Sequence, residues 1–441
     1  MDRERRIAIV GAGAGGLAAA WHLQELGYRY VTVMEKGPDV GGLCDAISID
    51  GKPYELGAAL LSWEYRHVFG FLRRYEMETT TVAPFYLLDR AGGKVLPLTF
   101  LMDGRDKLEL AAAVARYFVQ LARYADEVGG PGFRNLEATD LCRPFGDWLD
   151  ANGMSALKDQ LVIPVTCYGY GRLSEIPAAY ALKYLNLGNF TTSLYISGVE
   201  ALGQNPDWPR KIVQGMHGLM ANIAGDLTDL RTGCTIERID RDLPGPHPIR
   251  IRSRTGAQAP RDEEFDVLIV ACKQDPQTLA GLPMALDPDE AALFAPVKAG
   301  NFFTMVCDAE GIGYGLYCNI VEGNALSLPS SGVPIFMGRL WEGSPVLNVY
   351  AEADAGVTEE VVAPQMLAAL QRMNITVGHV HTVRRWRYFP HAPSQALADG
   401  FYTKFEAAQG RHATYYAGSG ACFECVEDSI EYAVDLVQRL F

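Results

Sequence analysis

Ile7-Ala8-Ile9-Val10-Gly11-Ala12-Gly13-Ala14-Gly15-Gly16-Leu17 is the stretch on which the fold turns. Arg5 to Val10 reads as a short apolar strand. Leu17 to Leu26 has helical spacing and stops before Gly27, a residue suited to ending a helix. Tyr30 to Met34 is a second apolar strand, closed by Glu35 and followed by Lys36. Strand, glycine turn, helix and strand in such close succession are the context that gives Gly-x-Gly-x-x-Gly its physical meaning. Gly11 permits the tight turn, Gly13 lets a pyrophosphate approach the backbone, and Gly16 lets the helix pack on the strand. Ala14 and Gly15 lie where a helix start offers N–H groups and partial positive charge to phosphates. Glu35 is placed to accept hydrogen bonds from a ribose diol, and an acid there disfavours a 2′-phosphate.

Two later segments belong to the same sheet. Phe265 to Ala271 reads as a buried parallel strand. Ala413 to Ala417 is another, running into Gly418-Ser419-Gly420 and then an amphipathic helix from about Val426 to Leu440. The start, middle and end of the chain therefore feed one sheet, and the fold class is α/β with a discontinuous Rossmann-like nucleotide domain. Between these parts, roughly 77 to 205 is helix-rich and aromatic. Roughly 296 to 400 alternates like strands, as in Asn301 to Val306 and Pro345 to Tyr350, and 241 to 263 reads as a hairpin or loop excursion.

Composition narrows the function. The chain has 441 residues and a formal net charge of −14, with 49% apolar residues, enough for a core and wrong in sign for nucleic acid. The N-terminus carries no secretory signal pattern, and no run is long and uncharged enough for a membrane span. Nine scattered cysteines read as reduced thiols of a cytoplasmic protein, and Cys422-x-x-Cys425 without a second pair or His cluster gives no metal site. Oligomeric state is not readable.

A second glycine doublet, Gly41-Gly42-Leu43, and then Glu55-Leu56-Gly57-Ala58-Ala59 suggest more chain laid along an extended ligand. With Gly11 to Gly16 and Glu35, these segments resemble the N-terminal signature of the flavin amine oxidase superfamily. Gln214-Gly215-Met216-x-x-Leu219 resembles its Gly-Met segment, leading to a strand at Ile236 against the adenine. Tyr416-Ala417-Gly418 and the following helix resemble its flavin-ring segment. Within that superfamily, Pro164 to Gly171, Ile176 to Leu185, Trp386 to His391 and Gly410 to Gly418 look like bacterial polyunsaturated fatty acid double-bond isomerases. The resemblance implies non-covalent FAD held by residues 1–76, 206–295 and 401–441. It also implies a mixed-sheet substrate domain from 77–100, 160–205 and 296–400, and a helical cap from 101–159. Ala271, Gly418, Ser419 and the helix start at Cys425, Val426 and Glu427 join the expected cofactor contacts.

The same resemblance implies hydride transfer between a small hydrophobic substrate and flavin N5, with double-bond isomerisation of an unsaturated fatty acid-like or secondary-metabolite substrate first. The alternative is an amine or amide oxidase or dehydrogenase, and a flavin-binding scaffold with a decayed site is a third reading. Amine oxidases of this group usually carry a lysine beside N5, and Asn301 to Val306 has none. The fatty-acid clamp of the isomerases pairs an aromatic residue, here Tyr168, with an arginine that Val82 to Tyr86 lacks. Tyr168, Trp386 and Glu64 are the expected catalytic residues, and Tyr170, Tyr180, Tyr184 and Tyr388 the expected substrate contacts.

Overall fold

A computed structural model describes residues 2–441. A five-stranded parallel sheet runs in the order Thr414–Tyr416, Val267–Val270, Arg6–Val10, Tyr30–Met34 and Leu230–Arg231. Its central strands are fully buried, which is why they read as continuous apolar runs rather than alternating ones. The expected strand Phe265 to Ala271 is in fact divided. Asp266 breaks it, its carboxylate accepting from the Arg6 N–H at 2.7 Å and contacting His247 Nδ1 at 2.6 Å. Val267 onward joins the parallel sheet, whereas Phe265 ends a three-stranded antiparallel ribbon of Cys234–Asp240, Ile249–Thr255 and Arg261–Phe265.

The first helix, Ala14–Glu25, begins earlier than its spacing suggested, so Gly15 and Gly16 lie in its first turn. Small residues make this possible. A Cβ on Gly16 would stand 2.0 Å from the Gly11 carbonyl oxygen, and one on Gly15 3.0 Å from the Gly418 Cα. The last helix, Val426–Leu440, packs on the first and buries Ile430, Ala433, Leu436 and Val437. Ile430, Leu436 and Val437, fully buried, each contribute about 1.5–3 kcal/mol.

The second sheet is mixed and eight-stranded, in the order Thr376–His391, Lys298–Glu310, Val346–Ala353, Pro334–Gly338, Leu316–Glu322, Phe85–Asp89 and Lys94–Leu96, with Ala325–Leu326 at the side. Helices run without an intervening strand from Leu98 to Ala201. They fall within the 77 to 205 read as helix-rich, and Ala178–Tyr184 lies against Phe145–Ala151 and Ala125–Val128. Among the described residues, no helix is long and apolar enough to cross a membrane.

Candidate active site

Four remote segments converge at the carboxyl ends of the parallel strands, where open α/β sheets bind ligands. Gly13 bridges Gly41, and the Gly41 N–H donates to the Ala12 carbonyl at 2.8 Å. Gly57 lies so close to Leu43 that a Cβ would be 2.1 Å from its carbonyl oxygen. Gly418 abuts Ala271 and Gly15. Gly13 itself faces open space, its nearest neighbour to an added Cβ being the Gly42 Cα at 4.0 Å. The N–H groups of Ala14, Gly15 and Gly16 have no acceptor among the described residues. A concave glycine cradle with unpaired helix-start amides fits a pyrophosphate.

Glu35 sits at the rim. Its carboxylate accepts from the Ala12 N–H at 2.8 Å and the Gly37 N–H at 2.7 Å, which fixes its orientation and leaves lone pairs for a diol. The Glu35 carbonyl accepts from the Cys234 N–H, bringing the strand that carries Ile236 alongside, while Lys36 is exposed. Ala58 follows Gly57 with its N–H on the Leu43 carbonyl, and Ala59 turns toward Lys211 and Trp341. Glu55 is buried; its Oε1 accepts from the Met216 N–H at 2.6 Å, and burial pushes its carboxyl up to about 8.

The segment leading into Gly57 is gripped from the second sheet. The Glu55 carbonyl accepts from Asn348 Nδ2 at 2.7 Å and the Tyr350 hydroxyl at 3.3 Å. The Leu56 carbonyl accepts from the Thr304 hydroxyl at 2.6 Å and Trp386 Nε1 at 2.9 Å. Trp386 is thus fixed beside the Glu55–Ala58 segment. Thr304, Asn348 and Tyr350 escaped sequence reasoning because they sit inside apolar strand runs, where a polar residue facing the core was the only signal.

Aromatic rings continue from this grip. Tyr168 meets Phe336 at 5.7 Å between centroids, Phe336 meets Tyr350 at 5.7 Å, and Phe302 stacks on Tyr388 at 5.2 Å. Tyr388 stacks on Tyr170 at 5.6 Å, Tyr170 meets Tyr184 at 4.8 Å, and Tyr184 stacks on Phe423 at 5.0 Å. Gly169, at φ +84°, lets Tyr168 and Tyr170 approach: a Cβ there would lie 2.7 Å from Phe302 and 3.0 Å from Tyr388. Burial pushes the Tyr168, Tyr170 and Tyr388 hydroxyls well above the ordinary phenol range, so they stay neutral donors. The Tyr168 hydroxyl has no hydrogen-bond partner among the described residues.

Three expected site residues have other employment. Tyr180 is fully buried; its hydroxyl meets that of Tyr402 at 3.0 Å and accepts from the Ala392 N–H at 2.8 Å, so it is a core residue, not a substrate contact. Glu64 lies over Gly188 at the start of the helix Leu187–Ala201, where the helix dipole favours an anion. It lines a cavity of about 470 Å³ with Tyr65, Phe118, Lys183 and Asp428, apart from Tyr168 and Trp386. Glu427 turns its carboxylate onto the N–H groups of His67 and Val68, at 2.8 and 3.0 Å, capping the helix Arg66–Arg74. Val426, the first residue of the last helix, is buried. Ser419 donates to Glu424 Oε1 at 3.2 Å, and Cys425 Sγ to the Tyr65 hydroxyl at 3.1 Å.

Among the described residues, Arg90, the arginine that follows Pro84 in sequence, is not free for a carboxylate. Arg90 is committed to the carbonyls of Asn319 and Ser327 at 2.8 and 2.7 Å and to Glu322 at 3.0 Å. The strand Lys298–Glu310 carries lysine only at its exposed first residue.

Comparison with known proteins agrees with this geometry. The family model of flavin containing amine oxidoreductases matches residues 14–304. The FAD-dependent oxidoreductase dpasF of Apiospora sacchari is 26% identical over 447 residues, covering 94% of this chain and 88% of that protein. The crystal structure of a CLA-producing fatty acid isomerase from P. acnes superposes with a TM-score of 0.84 at 25% identity, covering 100% of both chains. Cyclohexylamine oxidase from Brevibacterium oxydans shares the fold at a TM-score of 0.64 and 16% identity, over 99% of this chain and 98% of that one.

Proposed function

The chain belongs to the family of flavin containing amine oxidoreductases and is an FAD-dependent enzyme, and from that premise we propose that it isomerises a double bond in a small, hydrophobic, unsaturated substrate. The observation that carries this reading is the neutrality of the aromatic wall beside Trp386. Its side chains are aromatic rings with uncharged phenol hydroxyls, or polar groups already bound to the Glu55 and Leu56 carbonyls. Likeness to a fatty acid isomerase over the whole chain supports it.

Bound FAD supplies a hydride acceptor that can also return the hydride, which makes a net isomerisation possible without a second oxidant. The residues of this chain supply placement. Ala14, Gly15 and Gly16 hold the pyrophosphate and Glu35 the ribose. Tyr168, Tyr170, Tyr184 and Tyr388, with the Trp386 indole, form a dry wall along which an unsaturated chain lies, and exclusion of water protects a reactive hydride. Tyr168 offers a neutral hydroxyl to a polar end, in place of the absent arginine. The cofactor is held without a covalent bond: the buried Cys422 and half-buried Cys425 thiols are raised by desolvation and remain protonated, hence poor nucleophiles.

Amine oxidation is disfavoured because Thr304, not lysine, faces the Leu56 carbonyl. Rapid mixing of the reduced enzyme with aerated buffer tests this: slow reoxidation is expected, and fast reoxidation would count for an oxidase.

A further inference from the structure

Lys273 and Glu424 bracket a single residue of the long strand Thr376–His391. Lys273 follows the end of a parallel strand at Ala271-Cys272, and Glu424 lies between Gly418 and the last helix. Their side chains pair at 2.9 Å, with only 4% of the Glu424 side chain exposed. Lys273 Nζ also donates to the Arg387 carbonyl, and Glu424 Oε2 accepts from the Phe389 N–H. Tyr388 stands between these two anchored peptide groups.

That corner needs holding. Phe389 has φ +52°, a region a bulky aromatic residue rarely occupies. The Arg387 guanidinium is tied to Asp275 and, through Nη1, to Gln277, the cap and second residue of the short helix Pro276–Ala280 that follows Lys273. The Tyr170 hydroxyl donates to the Glu424 carbonyl at 3.3 Å. A buried ion pair is a poor means of gaining stability, since desolvation offsets the attraction. Here the two charges hold backbone groups on either side of the ring that stacks between Phe302 and Tyr170.

We propose that the Lys273–Glu424 pair is a positioning pair: it fixes the Tyr388 ring from the cofactor side and so sets where the substrate's reacting carbon lies. The proposal rests on the reading above only in that Tyr388 borders the substrate.

Glu424→Ala, Glu424→Gln and Lys273→Met, each loaded with FAD, test it with linoleic acid as the probe. Glu424→Ala is expected to retain FAD at the wild-type ratio, to move Phe389 out of positive φ in its crystal structure, and to part Tyr388 from Phe302. Its kcat is expected to fall about a hundredfold, the scale of a misplaced reacting group, with a smaller change in KM. Glu424→Gln, whose amide oxygen still accepts from Phe389, is expected to recover most of the loss, and Lys273→Met to resemble Glu424→Ala. An unmoved corner in Glu424→Ala, or equal losses in the alanine and glutamine variants, would overturn the proposal. If the wild type does not turn over linoleic acid, that counts against the fatty-acid form of the isomerase reading alone, and the crystal structure of Glu424→Ala, with Phe389 and Tyr388 moved or unmoved, still decides the role of the pair.

Discussion

Thr304 places its hydroxyl 2.6 Å from the carbonyl oxygen of Leu56, and Trp386 donates to the same oxygen. One backbone acceptor thus ties the Glu55–Gly57 segment to two strands of the second sheet. Thr304→Val leaves that oxygen with the indole and is expected to cost about 1 kcal/mol in chemical denaturation, the net worth of one hydrogen bond. Adding Trp386→Phe orphans a buried carbonyl, so the double variant is expected to lose more than the sum of the singles. Strict additivity would show that the shared acceptor does not couple the strands.

Gly169→Ala combines two conflicts, a backbone at φ +84° and a methyl 2.7 Å from the Phe302 ring. The variant is expected to lose about 1–3 kcal/mol, the usual cost of overpacking, and most of its turnover. A thermal midpoint and activity equal to wild type would show that the Tyr168–Tyr170 turn does not shape the pocket.

Glu427 couples stability to pH. Burial pushes its carboxyl up to about 7 from an ordinary 4.5, despite the two N–H groups it accepts from. A folded-state value above the unfolded one means that its contribution is fully present below about pH 4.5 and is lost as pH rises through about 7. Glu427→Gln cannot ionise, so its thermal midpoint is expected to decline less between pH 5 and pH 8 than that of the wild type. Parallel curves for the two proteins would contradict the assignment.

Non-covalent FAD is checked by acid precipitation. Yellow colour is expected in the supernatant. Colour retained in the pellet would mean that one of the buried thiols, or another side chain, is bonded to the flavin.

The parallel sheet and glycine cradle were legible in the sequence because their signals are local. Gly11, Gly13 and Gly16 meet their constraints within one turn, and a continuous apolar run such as Val267 to Val270 announces burial on both faces. The grip on Glu55 and Leu56 was not legible, since Thr304, Asn348 and Tyr350 come from strands far along the chain and acquire their meaning only through register. Tyr180 and Glu64 show the converse. Residue type and proximity in sequence favoured a site, but Tyr402 and Ala392 claim one hydroxyl, and Gly188 seats the other side chain on a helix start. The helix-rich character of 77 to 205 was legible too, since spacing such as that of Leu108 to Glu127 is local, and helices do run from Leu98 to Ala201.

Whether hydride leaves and returns to the same substrate is tested most directly by anaerobic incubation of the FAD-loaded enzyme with a polyunsaturated fatty acid and no added acceptor. The account predicts many turnovers per FAD, seen as a rising conjugated-diene absorbance, with no peroxide and no accumulated flavin bleaching. No diene with any such acid, together with flavin bleaching by an amine and peroxide on readmission of air, would contradict it.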